Sequence, residues 1–413
     1  MTVSSHKAEV DRQLEIIRTR TEELIPAAEW LAKLERSIAT KTPLRVKQGF
    51  DPTAPDIHLG HTLGLRKLRQ FQELGHQVVL IVGSYTALVG DPSGRSATRP
   101  PLTEDQVMAN AQTYMEQFFK VVDRDRTEVH WNGDWFKKMS FVDILKLASQ
   151  VTVARILERD DFEKRYKAGE PIAVHELLYP LMQAYDSVVV RADVEIGATE
   201  QKFNLLTGRD IQGAYGMEPQ VILTTPVLEG LDGVRRMSKS LGNYIGVTEP
   251  PAEIYGKVMS LPDRLIERFF RLATDAEKAE CDEVARALAD PATNPMSLKK
   301  QLAHRIVRMY HGPDAAESAQ LQFEKQFSRR ELPSEMPVVR VESGAFRARD
   351  LLMRAFPGEY TGSKAGALFK QGAVYLDGER ITDIGLEIRI GNGGREEAVF
   401  KVGRKYAKIV VGA

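Results

Sequence analysis

Apolar positions in residues 8–39 recur every three or four places, with Leu14, Ile17, Leu24, Leu31, Leu34 and Ile38 on one stripe, which predicts helix. Pro26 is expected to split this stretch into two helices, since proline removes an N–H from the helix interior. The pattern then changes. TPLRVKQGF (42–50) reads as a strand, DPTAPDI (51–57) as a loop, LGHTLGLRKLRQFQELG (59–75) as a helix ended by Gly75, and HQVVLIVG (76–83) as a buried strand. This order is a βαβ unit, which implies a parallel sheet with a right-handed crossover. Ligands of such sheets bind at the carboxyl ends of the strands, so the loops after Phe50 and Val82 are the first places to search.

Residues 100–170 read as mostly helical. HELLYPLMQAYDSVVV (175–190) is an apolar helix, VEIG (194–197) and PQVILTT (219–225) are further strands, and 250–328 returns to helices. The proline- and charge-rich RRELPSEMPVVR (329–340) reads as a linker. A short unit follows, SGAFRARDLLMRAF (343–356), and then strand-like alternation to the C-terminus.

Composition narrows the class without naming it. With 413 residues the chain has room for two or three cores. Its 57 basic and 57 acidic side chains balance, so any nucleic-acid surface must come from local clustering of Lys and Arg. One cysteine, Cys281, rules out an internal disulfide and a cysteine-built metal site, and suits a reducing cytoplasm. The N-terminal twenty residues scatter charge through any would-be export signal, and no stretch reaches the ~20 apolar residues of a membrane span.

Four short segments carry candidate chemistry. In DPTAPDIHLGH (51–61), Thr53, His58, Gly60 and His61 sit where a helix begins, and helix N-termini attract anions. A helix cap with two surface histidines is the plainer reading of the same residues. In GDPSGR (90–95), two glycines and a proline force a turn carrying Asp91 and Arg95, with Arg99 beyond; as a turn alone this is common. Tyr179, Gln183 and Asp186, at i, i+4 and i+7, fall on one helical face, either a solvent stripe or the polar wall of a pocket. GVRRMSKSLGNY (233–244) sets Arg235, Arg236, Ser238, Lys239 and Ser240 in a glycine-flanked loop that could close over a polyphosphate, or could be a solvated basic loop.

Taken together and in this order, HLGH, GDPSG, YxxxQxxD and RMSKS resemble the bacterial tyrosyl-tRNA synthetases, and 343–385 resembles an S4-type RNA-binding module. The resemblance implies an α/β fold. A helical segment (1–40) would precede a Rossmann-like catalytic domain with a parallel sheet (41–247). A helical anticodon-recognition domain (248–328), a linker (329–340) and an S4-like α+β domain (341–413) would follow. It implies ATP, with Mg²⁺ as its substrate complex and no protein-held metal, and as partners L-tyrosine, tRNA(Tyr) and a second copy of the chain, in the cytoplasm and away from membranes. By matched position, Thr53, His58 and Lys239, with Arg236 and Ser240, would hold the pyrophosphate side of ATP. Gly60 and His61 would lie by the adenosine and Glu200 by the ribose. Asp91, Tyr179 and Gln183 would grip the α-ammonium of tyrosine, Gln201 its carboxylate, and Asp186 its phenol. Arg347, Arg349, Lys364 and Lys370, near Arg354 and Arg380, would face RNA.

The chain departs from the family pattern at Arg236 (usually lysine), at Glu200 (usually aspartate), at Ala198 (usually glycine), at Lys47 (a tyrosine in one subgroup) and in GSYTAL (83–88). Cytidylyltransferase-type enzymes also use HxGH. A tryptophanyl-tRNA synthetase shares the architecture but would not need Asp186 or the S4-like tail. An RNA-binding protein that kept a synthetase body, or a paralogue charging tyrosine for a secondary pathway, would carry the same motifs.

Overall fold

Val78 to Val82 are each at most 1% exposed, as expected of a strand covered on both faces. In the computed structural model this strand lies inside a six-stranded sheet. The structure describes residues 3–52, 56–90, 102–325, 336–403 and 405–412, and the chain forms two compact units, 1–320 and 321–413.

The first unit opens with α1 (Val3–Arg18), β1 (Glu23–Ile25), α2 (Ala27–Thr40), β2 (Arg45–Phe50), α3 (Leu59–Glu73) and β3 (Gln77–Val82). After α4 (Thr86–Val89) and α5 (Glu104–Phe118) come β4 (Thr127–Trp131), α6 (Gly133–Phe136), α7 (Phe141–Ala148), α8 (Val153–Ile156) and α9 (Asp160–Ala168). The long α10 (Val174–Val189) leads to β5 (Val194–Ala198), α11 (Lys202–Ala214) and β6 (Val221–Thr225). Helices α12 (Pro251–Met259), α13 (Ile266–Ala273), α14 (Lys278–Ala289), α15 (Pro295–His311) and α16 (Pro313–Phe323) follow. Strand order is β1-β6-β5-β2-β3-β4, parallel except for β1.

The expected βαβ unit is present as β2–α3–β3, and α3 gives way to β3 through Gly75 at φ +91°. Two expectations need correction. Leu24, placed on the helical stripe, belongs instead to β1, whose residues pair with Ile222–Thr224 of β6, so the N-terminal segment joins the sheet. Within 100–170, predicted mostly helical, Thr127–Trp131 forms the edge strand β4. Every residue of β4 is half-buried, so no apolar alternation marks it.

The second unit holds β7 (Val338–Val341), β8 (Gly344–Arg347), α17 (Ala348–Ala355), α18 (Gly362–Lys370), β9 (Val374–Leu376), β10 (Glu379–Ile381), β11 (Glu387–Ile390), β12 (Glu397–Val402) and β13 (Lys405–Val411). Val338–Arg340, read as linker, are in β7, which pairs in parallel with β13; residues 329–335 of that stretch lie outside the described residues. Leu351, Leu352, Phe369, Phe400 and Ile409 form the core between the two helices and a five-stranded sheet ordered β10-β9-β12-β13-β7.

His76, just before β3, ties three elements together. Its Nδ1 accepts the Leu44 N–H at 3.2 Å, so the proton sits on Nε2, 3.0 Å from the Gln13 side-chain oxygen Oε1. Burial lowers its pKa to about 4. The unfolded chain therefore binds a proton here at a higher pH than the folded one. The contribution is complete above about pH 6.5 and is lost as pH falls towards 4, roughly 3 kcal/mol at most for this group. His76→Gln is expected to lower the urea midpoint at neutral pH and to flatten its decline between about pH 6.5 and 4. A decline as steep as in the unaltered protein would contradict this assignment.

Candidate active site

β2 is flanked by β5 on one side and β3 on the other, so the chain leaves it in opposite directions and a crevice opens at the strands' carboxyl ends. A cavity of about 720 Å³ occupies this place. Its walls include Asp51 after β2, His58, Gly60 and His61 at the start of α3, Tyr179, Gln183 and Asp186 on α10, Glu200 and Gln201 after β5, and Arg236, Ser238 and Ser240. Three sequence motifs thus converge on one volume. Thr53 and Asp91, with Arg95 and Arg99, lie outside the described residues.

The two histidines are a helix cap and part of the cavity wall at once. His58 Nδ1 accepts the Gly60 N–H at 3.2 Å, and His61 Nδ1 accepts the His58 N–H at 3.3 Å, which leaves each proton on Nε2. The rings stack 3.7 Å apart. Burial, then the neighbouring His61, Lys239 and Arg236, pushes His58 down to about 2. His61 is open to the cavity by surface area, yet the protein around it and Lys239 beyond lower it to about 4. Both are neutral donors at physiological pH, able to meet an anion through Nε2–H.

Tyr179, Gln183 and Asp186 do share a face of α10, and each is held by a partner that the spacing alone could not reveal. Tyr179 donates its O–H to Asp51 Oδ2 at 2.9 Å, while Thr86 donates to Asp51 Oδ1 at 2.7 Å. Gly83 must be bare for this: a Cβ there would lie 2.0 Å from Asp51 Oδ1. Gln183 donates to Glu195 Oε1 at 3.1 Å and accepts from Asn204 at 2.9 Å; Asn204 also donates to Gln201 Oε1 at 3.0 Å. Asp186 accepts from Trp135 Nε1 at 3.0 Å and Asn132 Nδ2 at 3.3 Å. Burial raises Asp186 to about 7, while Lys47 and these two hydrogen bonds pull the other way.

Sequence reasoning missed Asp51, Asn132, Trp135, Glu195 and Asn204. Asp51 and Glu195 carried a usable signal, a carboxylate at the end of or within an apolar strand. Asn132 and Trp135 carried none, because the edge strand that delivers them went unread.

The RMSKS segment lies along the cavity's open side. Asn243 anchors it: Oδ1 accepts the Ser238 N–H at 2.8 Å, and Nδ2 donates to Arg236 O at 3.1 Å and Asp232 Oδ2 at 3.0 Å. Ser238 and Ser240 share a hydrogen bond of 2.9 Å. Arg236 pairs with Glu200. Lys239 is not on the cavity wall; its ammonium bonds the Asp56 carbonyl, 5.9 Å from the Tyr114 ring centre, and its pKa is lowered by burial. In the second unit Arg347, Lys364 and Lys370 are exposed and Arg349 pairs with Asp350 at 3.0 Å. Arg380 is spent on the Gly372 and Gln371 carbonyls that end α18.

A sheet of this order, with a histidine-capped helix and a basic loop at its switch point, defines a class I nucleotide-activating enzyme. The sequence profile of class I tRNA synthetases (W and Y) matches residues 39–328, and the chain belongs to this family. It is 50% identical over 402 residues to the tyrosine–tRNA ligase of Moorella thermoacetica, covering 97% of this chain and 96% of that one. It is 49% identical over 400 residues to that of Thermotoga maritima, covering 97% of each. Among solved structures it is similar to the tyrosyl-tRNA synthetase of Archaeoglobus fulgidus complexed with L-tyrosine (TM-score 0.62, 25% identity, 75% of this chain and 99% of that one).

Because the Ser238 N–H is held by Asn243 while the Met237 N–H bonds the Leu228 carbonyl (2.8 Å), Asn243→Ala is expected to speed amide hydrogen exchange at Ser238 by at least about tenfold while Met237, β3 and β6 stay protected. Unchanged exchange in the loop would show that another contact anchors it.

Proposed function

We propose that the chain activates L-tyrosine with ATP to tyrosyl-adenylate and pyrophosphate, then transfers tyrosine to the 3′ end of tRNA(Tyr). The observation that carries the choice of amino acid is Asp186. It is 3% exposed, held between Asn132 and Trp135, and faces the cavity as a buried acceptor. A phenol O–H can add a donor to those from Asn132 and Trp135, whereas a plain phenyl ring buries the carboxyl's remaining acceptor capacity with no donor, at a cost of about 1–3 kcal/mol or more. Tyrosine's carboxylate attacks the α-phosphate, the bond to pyrophosphate breaks, and no side-chain nucleophile is needed. Catalysis is then alignment and charge stabilisation.

In this reading the ATP arrives as its Mg²⁺ complex. His58, Lys239, Arg236 and Ser240, with Thr53, hold the pyrophosphate side; Gly60 and His61 meet the adenosine and Glu200 the ribose. Tyr179, Gln183 and Asp91 take the α-ammonium, and Gln201 the carboxylate. Lys239 would have to leave the Asp56 carbonyl to do this, a short movement for a flexible chain. Residues 248–328 read the anticodon, and Arg347, Arg349, Lys364 and Lys370 meet tRNA from the second unit. A homodimer is supported by apolar side chains exposed on α7 to α10: Phe141 (76%), Val142, Leu145, Val153, Tyr166 and Val174. The cytoplasm, where tRNA is charged, is the compartment that fits this work.

ATP–pyrophosphate exchange driven by tyrosine, tryptophan and phenylalanine in parallel tests the proposal. Exchange is expected with tyrosine alone at low amino-acid concentration. Preference for tryptophan would overturn the substrate, and no exchange with any of the three would favour an RNA-binding protein on a synthetase body. Asp186→Ala is expected to lower tyrosine-driven exchange about a hundredfold or more while changing residual phenylalanine exchange little, since only tyrosine has the hydroxyl to lose. Equal losses for both would remove the role given to Asp186.

A further inference from the structure

We infer that the buried ion pair Lys47–Glu195 is a positioning device for Gln183, fixing the face that its side-chain amide turns to the α-ammonium of the amino acid; the inference rests on the tyrosine-site reading above. Lys47 on β2 and Glu195 on β5 are direct partners across parallel strands, and they are 0% and 1% exposed. The ammonium donates to Glu195 Oε1 (2.9 Å), Ser187 Oγ (2.7 Å) and the Gln183 main-chain oxygen (2.9 Å), which uses all three of its protons. Glu195 in turn receives Lys47 and the Gln183 amide on Oε1, and Ser187 (3.1 Å) and Gln220 on Oε2. Gln220 fits in only because Gly208 of α11 is bare: a Cβ there would lie 2.4 Å from its amide nitrogen.

The chemistry of this cluster decides which way Gln183 points. A carboxylate only accepts, so the Gln183 amide must turn its NH₂ to Glu195 and its oxygen to Asn204, leaving that oxygen's second lone pair for a donor in the cavity. The flipped amide would set oxygen against oxygen. Two apolar residues of similar size would hold β2 to β5 as firmly, because burying both charges costs at least about as much as their attraction returns. What they could not do is choose between the two amide orientations. Lys47 also grips the main chain of α10 at Gln183, so the strand pair fixes both ends of that side chain. The lysine in place of a phenol-binding tyrosine thus spends its donors on Gln183, Ser187 and Glu195, while its charge also reaches Asp186.

The test is a set of steady-state exchange assays with melting temperatures on the full chain. In Lys47→Met/Glu195→Met both charges leave together, so neither is stranded in the core. Its melting temperature is expected to stay near that of the unaltered protein, with the tyrosine KM up about tenfold, the loss of an oriented hydrogen bond to a charged group, and the ATP KM changed less than about twofold. The isosteric Glu195→Gln, which no longer dictates the amide's orientation, is expected to raise the tyrosine KM selectively too, and decides the matter if the double variant does not fold. An unchanged tyrosine KM, or equal rises for tyrosine and ATP, overturns the positioning role. Gln183→Ala separates the two levels: if it raises the tyrosine KM and the charge variants do not, only the positioning role falls. If it has no effect, the site reading falls and takes the positioning role with it.

Discussion

The position of β2 between β5 and β3 is the constraint on which the site depends. The chain leaves β2 through α3 to β3 and β4, then returns on the other side as β5 and β6. Right-handed crossovers put the connecting helices on opposite faces, and the carboxyl ends of β2 and β5 are left uncovered between them. Everything that lines the cavity is brought there by this reversal. The N-terminus of α3 comes from one half, the loop after β5 from the other, and α10 crosses between. Each motif is local in sequence, but only this reversal brings the α3 start, the α10 face and the loop at 236–240 to one cavity.

Within that frame the polar side chains of the cavity wall are made rigid by carboxylates. Asp51 holds Tyr179, Glu195 holds Gln183, and Asp186 is itself held by Asn132 and Trp135. Each carboxylate has two oxygens with room for several donors, so one can serve the scaffold and still leave capacity for a ligand. The cost is desolvation, visible in the raised pKa of Asp186. Glu195 offsets its own desolvation with four donors, one of them the paired Lys47. A site assembled this way has little freedom to reshape itself around a different side chain, which is what selectivity without a second chemical step requires.

Much of this was legible in the residues. The βαβ start, the helical stretch after 250, the cap at His58 and the shared face of Tyr179, Gln183 and Asp186 all follow from period and turn chemistry, which are local. What failed was non-local or masked by exposure. β4 sits at the sheet edge with every residue half-buried, so TEVHW shows no alternation. β1 is three residues long and owes its shape to β6, about two hundred positions away. Trp135 and Asn132 became site residues only because β4 carries them beside Asp186. No spacing rule connects positions 132 and 186; only the sheet does.

The departures from the family pattern gain a physical sense when they are placed in space. Arg236 and Glu200 look like two separate changes in the sequence, yet they face each other as an ion pair across the cavity's open side. A planar guanidinium suits a carboxylate on a longer arm, so the extra methylene of Glu200 and the fork of Arg236 are complementary. Both are about 40% exposed, which keeps the pair worth no more than about 1 kcal/mol. That weakness fits the roles proposed for Arg236 and Glu200, because a pair so lightly held costs little to exchange for the phosphate and ribose contacts assigned to them there. Lys47 and Glu195 are the buried counterpart, where the same two charges, stripped of water, become fixed geometry. One pair of opposite charges can yield to a ligand and the other orients a group for it, and solvent exposure is the whole difference between them.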